Sequence, residues 1–436
     1  MRLAHRLGDL WRRLRHLLAD RARQRRLLLA YCVSVILAYI ASVGLTVRAG
    51  ILPWARGDFV AYYTGARILR DGHAHRLYDL VLQARVQQQI LRPHGFAFAG
   101  GLLPYNYPPF LAAALVPLSF LSLRSAFLVW DLVNVGLILG SVALLVRERQ
   151  GWSRGVFLMT SLMVLAFFPV LEGLVKGQST FAVLFALALA HWALKRHRGS
   201  LAGAALALGL VKPHLVALIV IYLLYRRKWR AVAGFGVTGA LLLVPPSALV
   251  GLRGLRAYGA LLRQQSRWDA IVSIYPASMP NVRGTIYRAG LMCDRWFGVQ
   301  LSHVTLTAAM AVLSLAVLVP VFRSWRSATE PDSDALDLQF ALTLAAGLWI
   351  SPHLRRHDLS LLVLVGWLVS LYAASAGRSA AARGLIAAGH VTPLILPSVL
   401  PHPLDRQVLA FLLLSLVVVL VRWAVEERAR RQSPRS

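Results

Sequence analysis

LLLAYCVSVILAYIASVGLTV, residues 27–47, runs for 21 residues without a charge, between Arg26 and Arg48. A helix needs roughly 20 apolar residues to cross a hydrocarbon core, so this stretch reads as a membrane span. Similar blocks recur at 108–122, 126–146, 156–173, 178–194, 200–211, 214–225, 231–250, 303–322, 337–350, 358–374, 384–398 and 406–422. The expected fold is all-α, a polytopic helical bundle with one continuous transmembrane unit over 27–425.

Short loops orient it. Arg21 to Arg26, Lys195 to Arg198, Arg226 to Arg230, Arg323 to Arg326, Arg378 to Arg383 and the tail at 426–436 are basic, and such loops stay on the cytoplasmic side. Both termini are then cytoplasmic, and 48–107 and 251–302 become outer loops. Thirteen crossings would leave the tail outside, so one segment must be re-entrant or lie flat and about 12 cross. The foremost suspect is 108–122, which opens on Pro108-Pro109 and contains Pro117. The pair 200–211 and 214–225 is short as well, broken at Lys212-Pro213-His214, and broken helices are tolerated where they line a cavity.

Composition agrees. The chain of 436 residues is 57% hydrophobic, with a formal charge of +30. On a soluble protein that charge would suggest nucleic acid. Here basic loops and contact with anionic membrane lipids account for it, and no nucleic-acid partner is expected. Residues 1–26 carry nine Arg and two Asp, with Leu3, Leu7, Leu10, Trp11, Leu14, Leu17 and Leu18 at helical spacing. They read as a basic amphipathic helix on the cytoplasmic leaflet, not as a signal peptide. Cys32 and Cys293 form neither a metal spacing nor a disulfide framework. No P-loop type motif is present, and the sequence demands neither metal nor other cofactor. Residues 328–337 form an acidic connector.

The chemistry-bearing residues gather in the predicted outer segments. Asp58, in Gly57-Asp58-Phe59-Val60-Ala61-Tyr62-Tyr63, is the first carboxylate after the first span. It could be a general base at the membrane surface or the N-cap of a helix at 59–70. His73 and His75, flanked by Asp71 and Asp79, make a weak metal pattern. Tyr105-Asn106-Tyr107-Pro108-Pro109-Phe110 reads as a structural turn into the membrane. Lys176-Gly177-Gln178 and Lys212-Pro213-His214 put two of the four lysines on the outer side. They either snorkel or meet a phosphate. Ser351-Pro352-His353-Leu354-Arg355-Arg356-His357-Asp358 either binds a phosphate leaving group or forms a solvated turn. Pro280-Asn281-Val282-Arg283-Gly284 reads as a defined turn. Leu252, Leu255, Tyr258, Leu261 and Leu262 read as an amphipathic surface helix.

Taken in order, Gly-Asp-Phe-x-x-Tyr-Tyr, Leu77-Tyr78-Asp79, Tyr107-Pro108-Pro109, Gly177-Gln178, Lys212-Pro213, Asn281-x-Arg283-Gly284 and Ser351-Pro352-His353 resemble a known family. It is the bacterial polyprenol-phosphate-mannose-dependent mannosyltransferases of the GT-C glycosyltransferase superfamily, and the resemblance covers about residues 27–425. It implies a bacterial plasma-membrane enzyme working at the extracytoplasmic face. The donor would be a polyprenyl-phosphate sugar and the acceptor a lipid-linked or cell-envelope glycan. It implies that Asp58 is the catalytic base and that His353, with Arg355, Arg356, His357 and Lys212, meets the donor phosphate. Tyr62, Tyr63, Lys176, Gln178, His214, Asn281 and Arg283 become possible substrate contacts. Asp58 lacks the adjoining Glu of protein mannosyltransferases, which disfavours a protein acceptor. The rival reading is a transporter or flippase for a lipid-linked saccharide, which would use the same broken helices without a carboxylate at a reacting carbon.

Overall fold

The structure, a computed structural model, describes residues 21–98, 101–149, 153–264, 276–326, 334–400 and 404–432. Most of the expected helix at 1–26, most of the acidic connector at 328–337, the stretch 265–275 of the second outer loop and the end of the basic tail lie outside the described residues. Among the described residues the fold is all-helical, without a strand, and the protein is a polytopic helical membrane protein.

Every predicted span coincides with helix, but the helices fall into two classes. Seven are long and apolar enough to cross: Ala22–Arg48, Leu123–Arg147, Trp229–Arg263, His303–Trp325, Arg356–Ser375, Ser379–Leu396 and Leu404–Glu427. The predicted span 156–173 is two helices, Arg154–Leu165 and Phe168–Val175, bent by 68°. The bend falls where Pro169 opens the second helix, a position that suits a residue without an N–H. Counted together they make an eighth span. The apolar segments Pro109–Phe120, Thr180–Lys195, Gly199–Val211 and Pro213–Tyr225 are shorter. At 1.5 Å per residue they reach roughly 18–24 Å, less than the ~30 Å hydrocarbon core. With the bent pair taken as one span, eight helices among the described residues are long and apolar enough to cross, and the four shorter segments and Asp334–Ile350 account for the other predicted spans.

Burial does not simply follow length: Arg356–Ser375 is 56% buried over its apolar stretch, while Phe120 on a short segment is 71% exposed. The long outer helices present bare apolar side chains, with Ile40 61%, Leu241 70% and Val304 78% exposed. Such a surface suits acyl chains and would be an aggregation hazard in water. The inner helices are enclosed: Ala335 to Trp349 are all buried along Asp334–Ile350, and Thr180–Lys195 is buried on most sides. A buried ion cluster joins these two helices. Asp337 accepts from Lys195 Nζ at 3.0 and 3.1 Å and lies 2.8 Å from His191 Nε2. Lys195, expected in a solvated loop, is therefore tied to the core.

The first loop, 48–107, is a folded layer. Helices Phe59–Arg70 and Leu80–Leu91, with the connection between them, pack Phe59, Tyr62, Tyr63, Leu77, Tyr78 and Leu82 into the main core. The second loop opens at a kink in the long helix Trp229–Gln264, where Gly251 takes φ +70°. Beyond it Tyr258 stacks on Tyr78, with ring centres 4.4 Å apart, so the predicted surface helix is seated on the first loop.

Candidate active site

Asp58 immediately precedes the helix Phe59–Arg70, yet its carboxylate makes no capping hydrogen bond. The backbone does that work instead: Phe59 N donates to Lys176 O at 3.1 Å. Two glycines allow this approach. A Cβ on Gly57 would lie 2.8 Å from Lys176 O, and one on Gly177 would lie 2.7 Å from Phe59 Cβ. Gly177 also takes φ +62°, which disfavours a side chain. Trp130 Nε1 donates to Gly177 O at 2.8 Å and fixes the turn from behind. The outcome is that Gln178 Nε2 donates to Asp58 Oδ2.

Gln178 in turn leads to Lys212. Pro213 starts the next helix and leaves Lys212 at a non-helical φ of −135°, with its side chain only 6% exposed. Lys212 Nζ donates to Gln178 Oε1 at 2.9 Å, Thr180 Oγ1 at 2.8 Å and Asp358 Oδ1 at 2.7 Å. Thr180 Oγ1 donates to the same Asp358 oxygen at 2.7 Å, and Arg355 N donates to Asp358 Oδ2 at 2.9 Å. His357 Nε2 stands 3.6 Å from Asp358 Oδ1.

The segment 351–358 is a built turn, stitched to the residues at 276–297. Asn281 caps the helix Val282–Phe297 through Gly284 N and donates from Nδ2 to Ser351 O at 2.7 Å. Arg283 Nη1 reaches Pro352 O at 2.8 Å, and Arg355 Nη1 reaches Ser278 Oγ at 3.0 Å. His353 sits edge-on to His214, with ring centres 6.1 Å apart. Its imidazole is held well below the usual histidine range, first by desolvation and then by the Arg355 guanidinium. It is a neutral hydrogen-bonding group at physiological pH.

An aromatic wall closes the other side. Buried Gln83 and Gln87 bind the loop at 101–108 as a neighbouring strand would. Gln83 accepts from Tyr105 N at 2.8 Å and donates to Tyr105 O at 3.2 Å, while Gln87 exchanges bonds of 2.7 and 2.9 Å with Leu103. Tyr105 OH donates to Pro108 O at 2.6 Å and accepts from Ala112 N at 3.0 Å. The expected structural turn is present, and its Asn106, Tyr107 and Pro108 also face a cavity. Burial, then the neighbouring Tyr62, pushes the Tyr107 phenol well up, so it stays a protonated donor.

That cavity, about 530 Å³, is where these segments meet. Asp58, Lys176, Gln178, Lys212, His214, Arg283, His353, Arg355 and His357 all line it. Asp58 is the one carboxylate among its described lining residues, facing four Lys or Arg side chains. His214 Nε2 and His357 Nδ1 are buried without a protein partner. Polar groups of this kind mark a place for a polar ligand.

The family model described as GT87, glycosyltransferase family 87, matches residues 105–352. This chain belongs to glycosyltransferase family 87. It is a membrane glycosyltransferase. No curated protein and no solved structure matches it. The GT87 match takes in Tyr107, Gln178, Lys212, Asn281 and Ser351, while Asp58 and His353 to Asp358 flank it, so those flanking residues are joined to the family core by geometry.

Not every expected residue comes to the cavity of this GT87 chain. Tyr62 and Tyr63 are buried behind the wall: Tyr62 OH pairs with Ser179 Oγ at 3.3 Å, and Tyr63 OH donates to Leu121 O at 2.7 Å. Asn281 is fully buried as a brace. Arg356 turns outward to Glu172. Among the described residues no group of three or more potential ligands could hold a metal. Asp71 pairs with Arg67 and Arg70, and Asp79 caps its own helix. Sequence reasoning passed over Thr180 and gave Asp358 no specific part. The available signal was position: Thr180 lies two residues beyond Gln178, and Asp358 closes the marked segment Ser351 to Asp358.

Proposed function

We propose that this enzyme transfers a hexose, mannose by the resemblance above, from a polyprenyl-phosphate sugar to a hydroxyl of a lipid-linked or cell-envelope glycan, with inversion, at the extracytoplasmic face of a bacterial plasma membrane. The observation that carries this reading is the lone Asp58 carboxylate in a cavity whose other charged lining groups are cationic. A phosphodiester donor is anionic, and the leaving polyprenyl phosphate gains a further negative charge. Arg355, Arg283 and Lys176 supply compensating charge, and neutral His353 supplies a hydrogen bond.

In the step, Asp58 takes the proton from the acceptor hydroxyl. The acceptor oxygen forms its bond to the anomeric carbon as the bond from that carbon to the phosphate oxygen breaks. The electron pair leaves with the polyprenyl phosphate. General-base help of this kind contributes roughly 10²–10⁴-fold. Because phosphate already activates the sugar, the reaction needs no nucleotide.

The test is a purified assay offering a panel of polyprenyl-phosphate sugars with lipid and oligosaccharide acceptors, with products read by mass spectrometry. A new glycosidic bond formed from one of these donors is expected. Movement of lipid across vesicles without any glycosidic bond would favour the transporter reading, and use of a nucleotide sugar alone would refute the donor assignment.

A further inference from the structure

The donors of Lys212 are already spent. An ammonium has three N–H groups, and each has an acceptor within 2.9 Å, on Gln178, Thr180 and Asp358. Those acceptors are themselves organised: Asp358 takes bonds from Thr180 Oγ1 and Arg355 N. Of the three groups that Lys212 holds, Gln178 is the one that leads on to Asp58.

That link has a fixed polarity. An ammonium can only donate, so the end of the Gln178 amide facing Lys212 must be its oxygen. The amide NH₂ is then turned toward Asp58, where it can only donate. The bond fixes one carboxylate oxygen and leaves the other to receive a proton. Had Lys212 been absent, the amide could flip and offer Asp58 an oxygen.

We propose that Gln178 is a positioning residue for Asp58, held in register by the buried Lys212–Thr180–Asp358 cluster, and that Lys212 serves this cluster and does not bind the donor phosphate. The proposal rests on Asp58 being the base. It moves Lys212 out of the phosphate-binding set and gives Asp358 and Thr180 a task that neither the motifs nor the family match assigns.

The experiment compares kcat and KM for donor and acceptor in Gln178→Leu, Lys212→Met and Asp58→Asn, each purified in detergent. Misplacing a reacting group by about 1 Å costs on the order of 100-fold. Gln178→Leu and Lys212→Met are expected to lose kcat by roughly 10- to 100-fold, with donor KM within about twofold of wild type. Lys212→Met strands the buried Asp358 charge. Should it fail to fold, the double variant Lys212→Met/Asp358→Leu removes both charges and is read in the same way. Gln178→Asn, which keeps the amide but shortens it, is expected to fall between wild type and Gln178→Leu. A rise of tenfold or more in donor KM for the Lys212 variant, with kcat retained, would overturn the proposal and return Lys212 to the phosphate. Wild-type kcat in Gln178→Leu would overturn it as well. If Asp58→Asn is itself fully active, the base reading falls first, so the two failures are distinguishable.

Discussion

Arg356 grips Glu172 with two nitrogens, at 2.7 and 3.0 Å, and so points away from the cavity that its neighbour Arg355 lines. The pair is largely enclosed, and Arg356 also lies over the Phe168 ring at 4.5 Å. It ties the turn at 356–361 to the bent helix that carries Lys176, which itself donates to Glu172 at 3.0 Å.

A prediction follows for that pair. Removing one member of a buried ion pair typically costs about 3–5 kcal/mol when the other charge is left uncompensated. Here the half-exposed Lys176 would still compensate Glu172 in part, so the loss should fall toward or below the lower end. Arg356→Met should therefore lower the unfolding temperature in detergent, with donor KM little changed in the protein that remains folded. The double variant Arg356→Met/Glu172→Leu should recover part of the loss. A tenfold rise in donor KM at unchanged stability would instead place Arg356 on the donor.

The turn at Gly177 should be as sensitive. Ala there meets Phe59 Cβ at 2.7 Å and must hold φ +62°. The left-handed conformation alone costs an L-residue roughly 1–2 kcal/mol. Gly177→Ala should lower stability by at least that much and should also cut kcat, since the same turn delivers Gln178 to Asp58. Ala at Gly72, which also has positive φ but open space around it, serves as the control for backbone strain alone. Equal loss of kcat in both variants would show that the Gly177–Phe59 packing is irrelevant to Asp58.

Much of this was legible beforehand, for a physical reason. Spans announce themselves by length and polarity, and the polar motifs stood out where they interrupt apolar runs, so Asp58, Gln178, Lys212 and His353 could be named. How their side chains pair could not be. Arg355 and Arg356 are adjacent and chemically identical, yet one lines the cavity and the other binds Glu172, a residue 184 positions away. Tyr62 and Tyr63 belong to the Asp58 motif but are buried, with their hydroxyls spent on Ser179 and Leu121. Apolar composition also does not tell a helix facing lipid from a shorter one enclosed by other helices.

His353 makes a pH prediction. Its imidazole is depressed in the folded protein, by desolvation and by Arg355, whereas in the unfolded chain it protonates near pH 6.5. Below that pH the unfolded state binds a proton that the folded state refuses, so stability is lost as pH falls through about 6.5 and is regained as pH rises. The slope attributable to one such proton is at most about 1.4 kcal/mol per pH unit. Unfolding temperatures of wild type and His353→Asn, compared from pH 5 to 7.5, should converge as the pH drops, because the variant lacks this penalty. Parallel curves would show that His353 protonates as freely in the folded protein as outside it.

The sharpest prediction concerns Asp58→Asn. The sequence allowed two roles for this residue, helix cap and base, and the variant separates them because Asn caps as well as Asp. In the structure the carboxylate makes no capping bond, and the helix start is held by Phe59 N on Lys176 O. Stability should therefore change little. The Gln178 amide would then face another amide, which can turn its oxygen toward the Gln178 NH₂, so the local contact survives while the proton acceptor is gone. Transfer from polyprenyl-phosphate sugar should fall by roughly 10²–10⁴-fold, with donor binding retained. Asp58→Glu, which keeps the carboxylate but moves it by one methylene, should lose less than Asn does. If Asp58→Asn transfers sugar near the wild-type rate, Asp58 is not the base.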